Sequence, residues 1–240
     1  MKHTILDFIK LSKKEGKKLL TLLLDPDKVL LTEVETIANK INNAAIDLIF
    51  VGGSTVAKND TEKLIGALKR HIVKPIVIFP GDYSQITNTA DGILFLSLLS
   101  GNNPEYLIHQ QVKAIPSLQK TDLEIIPTGY ILIDGNHKTA VQKVSNTFPI
   151  SQSEISKISA TALAGEYMGK QLIYLEAGSG AKKSVSSEII SETSKLINTP
   201  LIVGGGLRTK SAIQNAFDAG ADIVVIGTAF EENSSFLDKI

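Results

Sequence analysis

Short apolar runs alternate with amphipathic stretches along the whole chain. Eight runs are rich in Leu, Ile and Val and contain almost no polar residues. Such runs are typical of strands that are buried on both faces, as in a parallel sheet. The runs are Leu19–Leu24, Leu48–Val51, Ile76–Phe79, Ile93–Leu96, Tyr130–Ile133, Leu172–Leu175, Leu201–Val203 and Ile223–Ile226.

Several of the stretches between the runs carry helical periodicity. In the first of them, Val34, Ile37, Ala38 and Ile41 fall on one face. The alternation, without linkers or low-complexity segments, predicts a single domain over residues 1–240 that folds as an α/β barrel of the TIM type, (β/α)8. An open doubly wound sheet is less favoured, because no GxGxxG follows the first run. The predicted helices are Glu33–Asn43, Glu62–His71, Ser153–Tyr167, Ser187–Leu196 and Lys210–Ala219.

Composition narrows the possible functions. The 25 basic and 25 acidic residues cancel, which argues against a broadly basic nucleic-acid binder. The absence of cysteine excludes disulfides, zinc ribbons and iron–sulfur clusters. We expect a cytoplasmic protein with no membrane span, because the amino-terminal sequence lacks a signal-peptide core and no apolar stretch approaches the ~18 residues of a spanning helix. The four histidines lack helical metal-ligand spacing; they are His3, His71, His109 and His137.

Glycines follow the last two predicted strands. Gly204, Gly205 and Gly206 end the seventh run, and Gly227 and Thr228 end the eighth. Phosphate sites of such barrels commonly lie in these two loops, where glycines let backbone N–H groups approach an oxyanion. A tight turn with no ligand is the alternative interpretation.

The sixth predicted strand ends in an acid. Glu176 follows Tyr174 on the same side of the strand, and the small residues Ala177–Gly180 come next. A carboxylate at this position suits a general base acting on a substrate hydroxyl. An ion pair with Lys182 or Lys183 is the alternative.

Carboxylates also follow the first predicted strand. Asp25 and Asp27 flank Pro26, and Ser54 lies after the second strand. Two carboxylates without His or Cys favour a hard cation, Mg²⁺ in particular, which usually completes its octahedron with substrate phosphates. The alternative is that these acids only cap the following helix.

The fourth unit stays apolar beyond its predicted strand, at Leu96, Leu98 and Leu99. These residues belong either to the core or to an apolar groove that leads away from the barrel mouth. Aromatic residues are only 5% of the chain, so aromatics at strand ends are candidates for the same wall. The other candidates for this wall are Phe79, Pro80, Tyr83 and Tyr130.

The motifs LLLDPDK, FVGGST, PTGYILIDG, YLEAGSG, IVGGG and VIGTAF occur in this order. Together they resemble geranylgeranylglyceryl phosphate synthases and the related bacterial PcrB-type heptaprenylglyceryl phosphate synthases. The resemblance runs from about Leu22 to Phe230 and is most specific at DPDK and YLEAGSG. Some members carry Lys two positions before the first Asp of DPD, where this chain has Leu23, so the residues that bind the diphosphate are less well assigned.

The resemblance implies transfer of a polyprenyl group, with geranylgeranyl diphosphate as the expected donor, to the 3-hydroxyl of sn-glycerol 1-phosphate. It implies Mg²⁺ as cofactor, held by Asp25 and Ser54, and a homo-oligomer, either a dimer or a hexamer. Glu176 and Tyr174 are the predicted catalytic residues. The predicted substrate-binding residues are Tyr174, Leu175, Glu176, Ala177, Gly178, Ser179, Gly180, Gly204, Gly205, Gly227 and Thr228.

Two other functions stay open at this point. A sugar-phosphate isomerase of the histidine or tryptophan pathway type would use Asp25 and Asp134 as its acid and base. Against it, DGN at Asp134 is also a favourable plain turn, and no second GGG lies half a chain before Gly204. A non-catalytic phosphate-binding barrel is the other alternative.

Overall fold

A computed structural model describes residues 4–57 and 59–239 and contains a closed barrel of parallel strands. Each strand pairs with the next one along the chain, and the last pairs with the first. The predicted TIM-type barrel is therefore confirmed. The strands are β1 Leu19–Leu24, β2 Leu48–Val51, β3 Ile76–Ile78, β4 Gly92–Leu98, β5 Glu124–Leu132, β6 Leu172–Glu176, β7 Leu201–Gly204 and β8 Ile223–Ile226.

Helices surround the barrel, and one of them begins irregularly. A single π-helical turn, Glu105–His109, precedes α4. No helix within the described ranges is long and apolar enough to cross a bilayer. The helices are α1 Ile5–Lys14, α2 Val34–Asn43, α3 Asp60–Leu68, α4 Gln110–Leu118, α5 Ala140–Ser145, α6 Ile155–Tyr167, α7 Ser187–Leu196, α8 Lys210–Asp218 and α9 Thr228–Glu232.

The buried side chains form two layers, as alternation along a strand requires. One layer fills the barrel, and the other lies between strands and helices. The predicted apolar face of α2 belongs to the outer layer, where Ala38 and Ile41 are fully buried. Helix α1 packs its Ile5 and Ile9 against the layer inside the barrel. Because α1 covers the amino ends of the strands, the opening of the barrel lies at their carboxyl ends.

The structure corrects several predicted boundaries. Strand β5 begins at Glu124, six residues before the predicted Tyr130. Its first six residues include Pro127, Thr128 and Gly129, which interrupt the apolar run. Helices α1, α4, α5 and α9 were not predicted. In α4, an internal Pro116 and two glutamines obscure the apolar face. His3 lies outside the described residues.

Candidate active site

A cavity of about 470 Å³ opens at the carboxyl ends of the strands. Barrels of this type hold their active sites at this end. Most of the predicted functional residues line it. The fold therefore brings the glycine loops after β7 and β8 and the carboxylates after β1 to one cavity. These residues are Asp25, Ser54, Tyr174, Glu176, Gly178, Ser179, Gly205, Gly227 and Thr228.

Four predicted substrate-binding residues do not line the cavity. Leu175 and Ala177 are fully buried in the layer between strands and helices, because their side chains point away from the barrel axis. Gly204 lies behind the site, where an added Cβ would meet the Tyr174 hydroxyl at 2.5 Å. Gly180 donates its N–H to Thr228 at 3.3 Å. Side-chain contact with a substrate is therefore not expected of Leu175 or Ala177.

Glu176 ends β6 with a carboxylate that is only 5% exposed as a residue. One oxygen, Oε1, accepts a hydrogen bond from the N–H of Gly178 at 2.6 Å. Burial raises the pKa of Glu176 to about 6, although the Tyr174 hydroxyl and the Gly178 N–H both oppose this shift. The expected alternative, an ion pair with Lys182 or Lys183, does not occur in the described part of the chain. Glu176 thus has a pKa that suits a general base near neutral pH.

Tyr174 lies one layer below Glu176, inside the barrel. Its ring stacks on Phe79 with the centroids 5.5 Å apart, and the edge of Tyr130 meets it at 5.4 Å. Its hydroxyl is buried and makes no regular hydrogen bond with a described residue. Burial and the nearby Glu176 carboxylate raise the pKa of Tyr174 well above its usual range, so the hydroxyl stays a donor. This buried hydroxyl lies next to the Glu176 carboxylate and borders the cavity, where it is placed to meet a ligand oxygen.

Loops after β6, β7 and β8 form a shallow region that we call the glycine cup. Ser179 and Thr228 join two of these loops through their hydroxyls, 3.3 Å apart. Gly205 has a φ of +83° and packs directly against Glu176 and Gly178, which leaves no space for a side chain. This close packing ties the cup to the candidate base. The cup consists of Gly178, Ser179, Gly205, Gly227 and Thr228.

The loops after β1, β2 and β8 form a second region, which we call the charged edge. The Asp25 carboxylate lies against Gly53, where an added Cβ would be 2.8 Å from Oδ1. The N–H of Asp27 donates to the same oxygen at 3.1 Å, so Asp25 also shapes its own loop. Burial raises the pKa of Asp25, and the Asp27 N–H and Lys28 oppose this shift. The edge consists of Asp25, Asp27, Lys28, Ser54 and Glu231.

Apolar side chains line the cavity on the side of β3, β4 and α4. The predicted groove residues Phe79, Pro80, Tyr83 and Tyr130 all belong to this wall, as do Leu96 and Leu98. Leu99 packs into the outer layer instead. Ile86, Phe95 and Ala114 also belong to this apolar lining, and Ala114 lies on α4. The cavity therefore has a polar end and a long apolar side.

Asp25 and Asp134, the acid and base of the isomerase alternative, do not lie in the same cavity. The Asp134 carboxylate accepts the N–H of Asn136 at 2.8 Å, which makes a local turn. Asp134 does not line the cavity that contains Asp25. It lies instead beside His137 and Phe148 in a separate open depression.

The sequence interpretation gave no role to two cations in the cavity. Lys28 follows the DPD motif, and Arg208 follows the glycines of β7. The Nη1 of Arg208 donates to the carbonyl of Ala181 at 2.6 Å, beside the glycine cup. The sequence signal that could have identified them is their position directly after the DPD motif and the glycines of β7.

Residues 12–240 match the PcrB family model. The chain belongs to the PcrB family. It is 54% identical to the geranylgeranylglyceryl phosphate synthase of Flavobacterium johnsoniae, over 95% of this chain and 94% of that protein. It is 39% identical to the synthase of the same name from Thermococcus gammatolerans, over 93% of this chain and 88% of that protein.

Solved structures of the family share the fold. One is (S)-3-O-geranylgeranylglyceryl phosphate synthase from Thermoplasma acidophilum in complex with its substrate sn-glycerol-1-phosphate. It has a TM-score of 0.92 and 33% identity, with 98% of this chain and 94% of that one covered. The enzyme of Thermoplasma volcanium has a TM-score of 0.90 and 34% identity, with the same coverage. The resemblance predicted from the sequence motifs is confirmed.

Proposed function

We propose that this PcrB-family chain transfers a geranylgeranyl group from its diphosphate to the 3-hydroxyl of sn-glycerol 1-phosphate. The observation that carries the proposal is Glu176, a buried carboxylate that contacts the glycine cup and lines the same cavity as the charged edge. The names of the family members at 54% and 39% identity support the same reaction. The products are an ether-linked prenylglyceryl phosphate and diphosphate.

The glycine cup is the proposed site of the glycerol phosphate. It offers backbone N–H groups without side chains that would keep the phosphate at a distance. The solved family structure that holds sn-glycerol-1-phosphate supports this substrate. The Tyr174 hydroxyl lies below the cup beside Glu176, and it is the proposed donor to a glycerol oxygen.

The prenyl diphosphate is proposed to lie with its diphosphate at the charged edge and its chain along the apolar wall. This orientation places the leaving group away from the bound glycerol phosphate. It also buries the chain against Leu96, Leu98 and Ala114, so the burial of apolar surface contributes to affinity.

The charged edge fits a Mg²⁺ ion that is bound partly by substrate. No group of three or more His, Asp or Glu side chains in the described part of the chain is arranged as a complete metal site. Asp25 is half-buried and faces the cavity, and Ser54 lines it. One carboxylate and one hydroxyl are a typical protein share for Mg²⁺, which takes its remaining ligands from phosphates and water. When bound, the ion would stabilise the negative charge on the departing diphosphate.

The protein side chains then perform the proton transfer. The carboxylate of Glu176 accepts the proton of the glycerol 3-hydroxyl, and the hydroxyl oxygen forms a bond to C1 of the prenyl chain. The bond from C1 to the diphosphate oxygen breaks, and its electron pair leaves with the diphosphate. The N–H of Gly178 holds this carboxylate in place through Oε1.

The decisive experiment is incubation with sn-glycerol 1-phosphate and prenyl diphosphates of several lengths, followed by product analysis. We expect Mg²⁺-dependent formation of geranylgeranylglyceryl phosphate, and chelation should abolish it. Turnover of sugar phosphates with no prenyl transfer would contradict the proposal.

We also propose that the chain acts in the cytoplasm as a homo-oligomer, a dimer or a hexamer. Ile108, Val112 and Ile115 leave 43–61% of their surface exposed on one face of the helical segment that begins at Glu105. An apolar face of this kind supports self-association. Light scattering of the purified protein measures the state directly.

A further inference from the structure

Among the described residues that line the cavity, two carry a permanent positive charge, Lys28 and Arg208. They stand in different regions. Arg208 is bonded to Ala181 beside the glycine cup, whereas Lys28 lies in the charged edge. Each proposed anionic substrate therefore has one protein cation near it.

We infer that Lys28 binds the diphosphate of the prenyl substrate and that Glu231 holds it in position until that substrate arrives. The inference rests on the proposed function and assigns the residue that grips the leaving group. Lys28 would be a binding residue that touches substrate, and Glu231 the partner that holds its ammonium group while the site is empty.

The first support is the geometry of the Lys28 ammonium. Its Nζ donates to Oε2 of Glu231 at 2.8 Å and lies 3.7 Å from Oδ2 of Asp25. An ammonium group carries three N–H donors, and in the described part of the chain only the bond to Glu231 has regular hydrogen-bond geometry. At least one further donor is therefore available to oxygens placed in the cavity beside Asp25.

The second support is charge. A prenyl diphosphate carries about three negative charges, and its departure concentrates charge on the leaving oxygens. A single divalent ion bound by Asp25 leaves part of this charge unbalanced. Among the described residues of this edge, Lys28 carries the positive charge. Its side chain is 45% exposed, so it can turn without being pulled from a packed core.

The third support is the position of Glu231. This residue belongs to α9, which begins at Thr228 of the glycine cup, and its side chain is 19% exposed. The Lys28–Glu231 pair therefore connects the two substrate regions across the join between β1 and β8.

A purely structural ion pair is the competing explanation. Such a pair would only tie the loop after β1 to α9. The chain offers a matched control, because the Nζ of Lys40 on α2 donates to Ser234, just after α9, at 2.9 Å. Lys40 makes a similar cross-connection but does not line the cavity.

The test measures equilibrium binding of inorganic diphosphate by calorimetry in saturating Mg²⁺, so it does not depend on turnover. We expect Lys28→Gln to raise the Kd for diphosphate about ten- to hundredfold, the usual loss for a charged hydrogen bond. Lys28→Arg should recover part of the affinity. Lys40→Gln should leave the Kd within twofold, and the KM for sn-glycerol 1-phosphate should change little in all three variants.

Glu231→Gln separates the two explanations. If Lys28 serves the ligand, releasing it from Glu231 leaves the diphosphate Kd unchanged or lower. If the pair is structural, Glu231→Gln and Lys28→Gln lose affinity alike, which overturns the inference, as does a Lys28→Gln Kd within twofold of wild type. Should Lys28→Gln fail to fold, the double variant Lys28→Gln/Glu231→Gln is compared with Glu231→Gln, and a diphosphate Kd within twofold of that of Glu231→Gln overturns the inference. Absence of prenyl transfer by the wild type, with diphosphate binding intact, would instead count against the proposed function.

Discussion

The glycine cup and the charged edge lie in one cavity but are built in opposite ways. The cup presents backbone N–H groups and two hydroxyls, and its geometry is fixed by tight packing such as that of Gly205 against Glu176. The edge presents the carboxylates of Asp25 and Glu231, which share the ammonium group of Lys28. A backbone cup suits a phosphate whose charge does not change during the reaction. Mobile charged side chains and a metal ion suit a diphosphate that gains charge as it leaves.

The largest effect is expected at Glu176, which contacts the cup and lines the cavity that both regions share. Glu176→Gln should lower kcat by about 10²- to 10⁴-fold, because the amide can accept a hydrogen bond but cannot take the proton. The KM for prenyl diphosphate should change little. Steady-state kinetics with both substrates measures this. An effect below about threefold would remove Glu176 from the mechanism.

The next effect tests the charged edge. Asp25→Asn should weaken Mg²⁺ binding by at least about a hundredfold, so turnover should require a correspondingly higher Mg²⁺ concentration. Even indirect partners of a metal ligand cost 10- to 100-fold in affinity. The measurement is a titration of turnover against Mg²⁺ concentration. The glycerol phosphate KM and the melting temperature serve as controls. Wild-type rates at limiting Mg²⁺ would show that Asp25 is not a metal ligand.

A smaller effect tests the glycine cup alone. Gly205 is a poor probe, because any side chain there would strike Glu176 and alter both regions. An added Cβ at Gly227 instead meets its nearest neighbour, Leu23, at an ordinary 3.5 Å. Gly227→Ala should therefore fold, and it should raise the KM for glycerol 1-phosphate about tenfold, the cost of roughly one hydrogen bond held too far away.

The control for Gly227→Ala is Gly66→Ala on α3, where an added Cβ meets nothing within 4 Å. It should leave both KM values unchanged. If Gly227→Ala weakens prenyl diphosphate and spares glycerol 1-phosphate, the two regions have been assigned to the wrong substrates.

The sequence predicts the framework of this site better than its details. The barrel follows from its apolar runs, because a strand buried on both faces needs Val, Ile and Leu at nearly every position. Strand β5 does not follow this pattern in its first six residues, because Gly129 makes room for the side chains of Leu99 and Lys170. Such space is a property of the neighbours and is not visible in the local sequence.

The same reasoning explains the unpredicted site residues. Asp25 and Glu176 are recognisable because an acid at the end of an apolar strand has few structural uses. Lys28 and Arg208 stand among 25 basic residues, and only the closure of the barrel brings Lys28 to Glu231, about 200 residues away along the chain. Whether Leu175 faces the cavity depends on the register of β6, which the structure settles against it.

The smallest expected effect is a pH dependence that belongs to Glu176. Because burial raises its pKa to about 6, the carboxylate is ionised above this pH and protonated below it. The rate should therefore fall as pH decreases, with kcat/KM for glycerol 1-phosphate near half its plateau at about pH 6. Phosphate monoesters also titrate near pH 6, so the profile of wild type alone is ambiguous. The residual activity of Glu176→Gln supplies the control: the part of the acidic limb that disappears in this variant belongs to the carboxyl, and the part that remains belongs to the substrate. A limb of equal size in both proteins would mean that Glu176 is not the titrating group, and the base would have to be sought at the charged edge.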